Sequence, residues 1–284
     1  MNEPEATPPN RRARLSGHSA SDRRFFIGLW LLGGVYIVLI VGLLVADASF
    51  TSPGQFLQAL RSREIRYAIK LSLISCSLTT LLSLWVAVPI GYLMARTQFR
   101  GKALLDALLD IPIVLPPLVI GLSLLILFQT PVGRAIESVV SVTYAIPSVI
   151  LAQFTVACAF AVRTMRATFD QINPRTEQVA LTLGCRRSEA FWRVVLPEAR
   201  RGVLTAATLA WARALGEFGP ILVFSGATRM RTEVLPTTVF LELSVGNLEA
   251  AVAVSLLMVV AAVAVLLIIR FFGSEQTLGQ SLKP

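Results

Sequence analysis

Arg213 and Glu217 stand four residues apart in ARALGEFGP (212–220), a stretch otherwise apolar enough to sit in lipid. Each charge at the centre of a bilayer costs at least about 2.5–3.5 kcal/mol on insertion scales, so the pair calls for a functional reading. Two chemistries fit. A guanidinium matches a tetrahedral oxyanion through its planar fork of donors, which would make Arg213 a transient anion contact on a translocation path. At i, i+4 spacing the same two side chains can instead neutralise one another along a helix face. Gly216, Gly219 and Pro220 beside them permit close helix approach or a local break, hence a gate or hinge. Glu217 opposes the field that Arg213 would offer an anion. Arg213, Gly216, Glu217, Phe218 and Gly219 are therefore read as path or gate residues, a structural or gating pair before an anion contact.

The remaining polar residues narrow the function by exclusion. The only histidine, His18, lies in an N-terminal tail rich in Pro, Arg and Ser, a composition that favours disorder, so imidazole catalysis and most His-based metal sites are excluded. Cys76, Cys158 and Cys185 show no C-x-x-C spacing and read as free thiols. No G-x-x-x-x-G-K-[ST] loop occurs, so the chain does not hydrolyse ATP by that route; Leu15-Ser16-Gly17, a fragment of an ATPase signature, is too short to count. Asp106 and Asp110 are one turn apart near the start of an apolar run, where acidic groups complement the helix macrodipole; lining an inner mouth is the rival reading. Gln153 is read as a hydrogen-bonding link between helices. No catalytic and no metal site is expected.

These side chains need an apolar scaffold. The 284 residues are 55% hydrophobic and 15% charged, with a mean hydropathy of +0.69, whereas soluble proteins are about 25% charged. An all-α integral membrane protein follows. Apolar runs of the length that crosses about 30 Å of hydrocarbon fall at 25–46, 67–94, 111–128, 143–162, 203–224 and 250–272, six spans in all. The third holds Pro112, Pro116 and Pro117 and is expected to kink or start broken. Ala46-Asp47-Ala48 resembles a signal cleavage site, but the first run exceeds the 7–15 residues of a signal core, so a retained span is expected. With both termini inside, fifteen Lys and Arg in the inner segments stand against Arg61, Arg63, Arg134, Arg229 and Arg231 outside; basic residues favour the cytoplasm, which predicts N-in, C-in. The net charge of +9 is then topology and not nucleic-acid binding.

Between spans four and five, some 35 residues are expected on the cytoplasmic side, including NPRTEQVALTLGCRRSEAFWRVVLPEARRG. Asn173 as N-cap, Pro174 at the first helical position and Gly184 at the left-handed C′ site define one short helix. Ser188 is expected to cap a second, with Phe191, Trp192 and Val195 on one face, until Pro197 disrupts it or turns it into span five. This helix-turn-helix, rich in Arg, fits either a lipid headgroup surface or a partner protein.

The same segment resembles the EAA loop of bacterial ABC importer permeases. Gln178-Val179-Ala180 stands at the first triplet, followed after three residues by Gly184 and after nine more by Val194, Val195 and Leu196-Pro197. Gln178 and Val179 depart from the usual Glu and Ala, and Glu177 precedes them, so either Glu177 or Gln178 is the polar contact. In that family the loop forms coupling helices that dock on a separate ATPase subunit. The resemblance thus implies a docking set of Glu177, Gln178, Ala180, Gly184, Val194, Leu196 and Pro197. FRGKALLDALLDIPIVLPPLVIG (99–121), ARALGEFGP and LPTTVFLEL (235–243) resemble the molybdate, tungstate and sulfate permeases. The resemblance spans 65–272, the permease domain. It leaves a basic cytoplasmic tail (1–24), a first transmembrane helix with its outer loop (25–64) and a cytoplasmic C-terminal tail (273–284).

The resemblance implies alternating access in the cytoplasmic (inner) membrane. Partners would be an ABC ATPase subunit, an external substrate-binding protein and a second permease copy, or a different permease as in sulfate systems. No cofactor would be bound by this chain, ATP and Mg being held by the ATPase. Rival readings are an ABC permease for thiamine, iron or polyamine, a secondary transporter without an ATPase, and an intramembrane enzyme. The second should show inverted repeats and the third a convergent set of catalytic groups; the sequence shows neither.

Overall fold

The computed structural model describes residues 20–274. His18 and most of the two expected tails, 1–19 and 275–284, lie outside the described residues. Among the described residues every regular element is helical. Residues up to Phe50 form one unit and those from Thr51 a second. The first contains α1 (Ala20–Phe50), an unbroken helix whose segment Phe25–Phe50 is long and apolar enough to cross a membrane. Ala46–Asp47–Ala48 is part of it.

The second unit runs α2 (Pro53–Arg61), α3 (Arg63–Arg96), α4 (Lys102–Val114), α5 (Pro117–Gln129), α6 (Pro131–Val139) and α7 (Ile146–Gln171). It continues through α8 (Pro174–Thr182), α9 (Arg187–Ala190), a π-helical turn (Phe191–Val195), α10 (Leu196–Glu198), α11 (Arg200–Leu215), α12 (Gly219–Phe224), α13 (Leu235–Ser244) and α14 (Leu248–Ser274). Ser62 caps α3, its Oγ accepting from the Ile65 N–H at 3.2 Å. Along α3 a stripe of small residues, including Ala68, Ser72, Ser75, Cys76, Thr79, Ser83, Ala87 and Gly91, is buried; without a hydrophobic drive between helices in lipid, such stripes let backbones approach and gain dispersion contacts. At Gly91 a Cβ would sit 2.8 Å from the Met165 Cβ of α7. Gln153 makes the link expected of it. Its Nε2 donates to the Ala214 carbonyl at 3.2 Å, and its Oε1 accepts from Thr79 Oγ1 at 3.3 Å. It joins α7 to α3 and to the last turn of α11, where the Ala214 carbonyl also accepts from the Glu217 N–H at 3.2 Å.

The expected spans are met in part. Among the described residues four helices are long and apolar enough to cross a membrane, five if the bent pair α4–α5 counts as one, against six expected. The expected third span divides at Leu115–Pro116, where both residues are extended (ψ 140° and 133°) ahead of a proline, and its halves meet at 111°; a residue before proline is pushed out of the α region. The expected fifth span, 203–224, divides into α11 and α12 around 216–218. The fourth, placed at 143–162, extends to Gln171 because the charges that end its apolar run are paired. Arg163 reaches Asp110 of α4 at 3.2 Å, and Arg166 binds Asp106. Asp106 and Asp110 thus serve as partners of α7 across the helix interface, beyond any complement to the α4 dipole.

Candidate functional site

The loop between α7 and α11 begins as its sequence dictates. Asn173 Oδ1 accepts from the Arg175 N–H at 3.0 Å, satisfying a donor of the first turn, and Pro174 opens α8. Its end is a Schellman turn: Gly184 has φ +91°, Cys185 N–H donates to the Ala180 carbonyl and Gly184 N–H to the Leu181 carbonyl, both at 3.1 Å. Such a turn needs a residue that tolerates the left-handed region.

The second helix starts two residues earlier than expected, with its cap at Arg186. Glu189, not Ser188, closes its first turn, its carboxylate accepting from the Arg186 N–H at 2.9 Å. Pro197 does not break it. The chain stays helical from Arg187 through α10, with Leu196 N–H reaching back five residues to the Phe191 carbonyl. A proline inside a regular helix presses on the carbonyl four residues before it, and the wider π turn immediately before Pro197 relieves that contact. The wider turn also alters the face that 3.6-residue spacing assigns. Val195 is fully buried and Phe191 half-buried, while Trp192 is 64% exposed, so the three do not share one buried face.

Of the seven docking residues, Ala180 is buried, Val194 and Leu196 are half-buried, and Gln178, Gly184 and Pro197 are exposed. Glu177 turns inward. Its carboxylate accepts from Tyr92 Oη at 2.5 Å and lies 3.4 Å from Arg96 Nε, while Arg96 also donates to the Ile172 carbonyl at 3.0 Å. The Tyr92 ring stacks edge-on against Phe169 and Phe191, with centroids 5.6 and 4.8 Å away. Tyr92 and Arg96 were missed in the sequence, although their i, i+4 spacing at the end of α3 matches a helix face turned toward α8. Beside this latch opens a groove of about 580 Å³ lined by Tyr92, Gln178, Leu181, Arg187, Phe191 and Trp192 among others.

At the other candidate site, Arg213 Nη1 lies 2.8 Å from a Glu217 carboxylate oxygen, an ion pair by distance but off the in-line angle of a hydrogen bond. Glu217 is 1% exposed and Arg213 partly so, its guanidinium over the Phe160 ring at 5.8 Å. Gly216 ends α11, Glu217 and Phe218 bridge, and Gly219 opens α12. The break lies against the break of the α4–α5 pair: a Cβ on Gly219 would be 2.9 Å from Pro117 Cβ, and one on Gly121 would be 2.8 Å from Pro220 Cα. Two helix ends that lack regular hydrogen bonds therefore pack together. With its partner at contact distance, Arg213 does not present an unopposed charge to a ligand.

A third polar cluster, also missed in the sequence, lies around LPTTVFLEL. Arg229 meets Glu242 at 2.8 Å and Glu233 at 3.7 Å; Asn247 donates to Glu242, also at 2.8 Å. Glu233 is wholly buried and accepts from Thr238 Oγ1 at 3.1 Å. Burial pushes its carboxyl above the ordinary value, Arg229 pulling back against that. The Arg229–Glu233 spacing of four was a signal available in the sequence.

The family model described as "binding-protein-dependent transport system inner membrane component" matches residues 87–275. The chain is 35% identical to a probable molybdenum ABC transporter permease protein of Haloferax volcanii, over 94% of this chain and 97% of that one. It is 34% identical to a molybdenum transport system permease protein of Mycobacterium tuberculosis, over 88% and 95%, and 29% identical to a sulfate transport system permease protein of Escherichia coli, over 90% and 96%. Among solved structures, a chain of a bacterial alginate ABC transporter in complex with an alginate-bound periplasmic protein superposes with a TM-score of 0.72 at 17% identity, over 90% of this chain and 96% of that one. At that identity the likeness concerns the fold.

Proposed function

The chain belongs to the family of binding-protein-dependent transport system inner membrane components, and from that premise we propose that it is the permease of an ABC importer for a tetrahedral oxyanion. Molybdate or tungstate comes first and sulfate next. The observation that carries the cargo is the similarity to permeases named for molybdenum over nearly the whole of both chains. In this reading the chain crosses the inner membrane six times with both termini inside, the divided 203–224 segment counting as a span. Two copies pair around the path.

The loop 173–197 is the docking surface for a separate ATPase that holds ATP and Mg. Gln178, Gly184 and Pro197, with the exposed Val179, Leu183 and Trp192, face that partner; Glu177 holds the loop to α3. ATP binding draws two ATPase subunits together and moves the docked loops. Because α9, the π turn and α10 lead into α11 with helical backbone at the junction, the movement reaches Gly216–Gly219. There the two packed breaks provide the hinge that opens the path toward the binding protein. The test is reconstitution of the permease with its ATPase and binding protein in vesicles. ATP-dependent uptake of labelled molybdate, competed by tungstate, is expected; uptake of thiamine, iron or polyamine instead would overturn the cargo, and uptake without ATPase would overturn the class.

A further inference from the structure

At the N-terminal end of α3, Arg63, Arg66 and Lys70 follow one another at helical spacing, all exposed, and line a cavity of about 300 Å³ with Tyr67 and Met230. The three cations span eight residues of α3, about 10 Å of helix axis. No carboxylate lines the cavity, and none of the three forms an ion pair among the described residues. The contrast lies next door, where Arg229 is held by both Glu242 and Glu233. The far wall is fixed: Tyr67 Oη donates to the Arg231 carbonyl at 3.0 Å, tying the 226–234 loop to α3, and Arg231 itself is exposed and in no ion pair among the described residues.

In the proposed topology this end of α3 faces outward, the side on which basic residues are disfavoured. Arg66 just precedes the apolar run 67–94 and Lys70 lies within it; both add to the five outer basic residues, so the cluster runs against the charge asymmetry that sets orientation. A concave wall carrying several unpaired cations and no anion focuses field on small multivalent anions. Guanidinium groups recognise tetrahedral oxyanions through paired donors. We infer that Arg63, Arg66 and Lys70 form an outer receiving site that takes a tetrahedral divalent oxyanion before it enters the path. The site rests on the proposed cargo and orientation but does not involve Arg213, whose charge Glu217 already meets. Phosphate headgroups share the chemistry, so the test separates free cargo from lipid.

The full complex of permease and ATPase, reconstituted with purified binding protein, is assayed for ATP-dependent uptake of labelled molybdate and sulfate in vesicles of zwitterionic lipid and, separately, with anionic lipid added. Arg66→Gln with Lys70→Gln is expected to lower the uptake rate at saturating binding protein about tenfold, the lower end of electrostatic focusing. The concentration of binding protein needed for half-maximal rate and basal ATP hydrolysis stay unchanged, and both lipid mixtures give the same loss. Arg66→Lys with Lys70→Arg, which keeps the charge, retains most of the rate. Unaltered uptake by the neutral variant overturns the site, as does a loss recovered by more binding protein, which makes the cluster a protein contact, or a loss confined to anionic vesicles, which makes it a headgroup contact. If the double variant does not copurify with the ATPase, Lys70→Gln alone is measured against the same outcomes with a smaller expected loss. Absence of ATP-dependent uptake of either oxyanion by the unsubstituted complex would sink the parent reading and this site with it.

Discussion

Tyr92 donates to Glu177 while its ring packs against Phe169 and Phe191, so one side chain of α3 joins α7, α8 and the π turn. A hydrogen bond to a charged acceptor contributes about 1.5–3 kcal/mol, and Tyr92→Phe removes that bond alone, keeping the ring contacts. The variant is expected to assemble with the ATPase and hydrolyse ATP at the basal rate, yet move less cargo per ATP because the loop slides on α3 instead of carrying it. Measuring uptake and phosphate release on the same vesicles checks this; an unchanged ratio would remove the latch from the mechanism. Glu233 makes a second residue-scale prediction, with a sign. Burial raises its carboxyl from 4.5 in the folded protein, so the unfolded chain releases that proton first. The associated stability is therefore full below about pH 4.5 and declines as pH rises through the raised value. Arg229 opposes the shift, so Arg229→Ala should steepen the decline and Glu233→Gln should flatten it, read as thermal unfolding in detergent across pH 4 to 8.

Among the elements, the two packed breaks can be separated by their glycines. A Cβ added at Gly216 meets nothing nearer than 3.7 Å, but one at Gly219 meets Pro117 Cβ at 2.9 Å and Leu118 N at 3.1 Å. Gly216→Ala should thus be nearly silent in stability. Gly219→Ala should cost about 1–3 kcal/mol, the usual range for overpacking, and slow transport by parting α5 from α12. Equal melting temperatures for the two variants would show that the breaks do not pack as described. These elements also mark how far the sequence could be read. Asn173, Pro174 and Gly184 define α8 because caps and left-handed turns are local chemistry. The proline pair at 116–117 marked a break for the same reason, but its 111° angle depends on what α5 packs against. The π turn was hidden because a repeat of 3.6 assumes regular hydrogen bonding, and that assumption put Trp192 on the wrong face. The latch was hidden because Tyr92 and Glu177 are 85 residues apart; only tertiary packing brings the C-terminal end of α3 to a carboxylate of that loop. Arg213 and Glu217 were legible as a pair because four residues is a helical neighbour, and their distance of 2.8 Å makes the mutual partnership physical.

For the whole molecule, orientation is the property on which the mechanism turns, since the loop 173–197 must share a compartment with ATP. The chain carries its own probe. Cys76 is wholly buried, and Cys158, half-buried, lies on α7 within the expected fourth span; Cys185, also half-buried, stands at the loop turn just after Gly184. A membrane-impermeant maleimide needs an aqueous path to a thiol that can ionise, which hydrocarbon denies to the first two. In vesicles containing the permease without its ATPase, labelling is expected at Cys185 alone, from the cytoplasmic face: inside-out vesicles react, right-side-out vesicles do not until permeabilised. Cys185→Ser should abolish the signal, with Cys158→Ala leaving it unchanged. Adding the ATPase should then slow the reaction by covering the exposed Leu183, Gly184 and Arg186 around the thiol. Labelling of intact right-side-out vesicles would invert the topology and put the docking loop, the latch and the cation cluster on the wrong sides for the proposed transport cycle. Labelling from the cytoplasmic face that the ATPase leaves unslowed would keep the orientation but move the docking surface away from the Schellman turn.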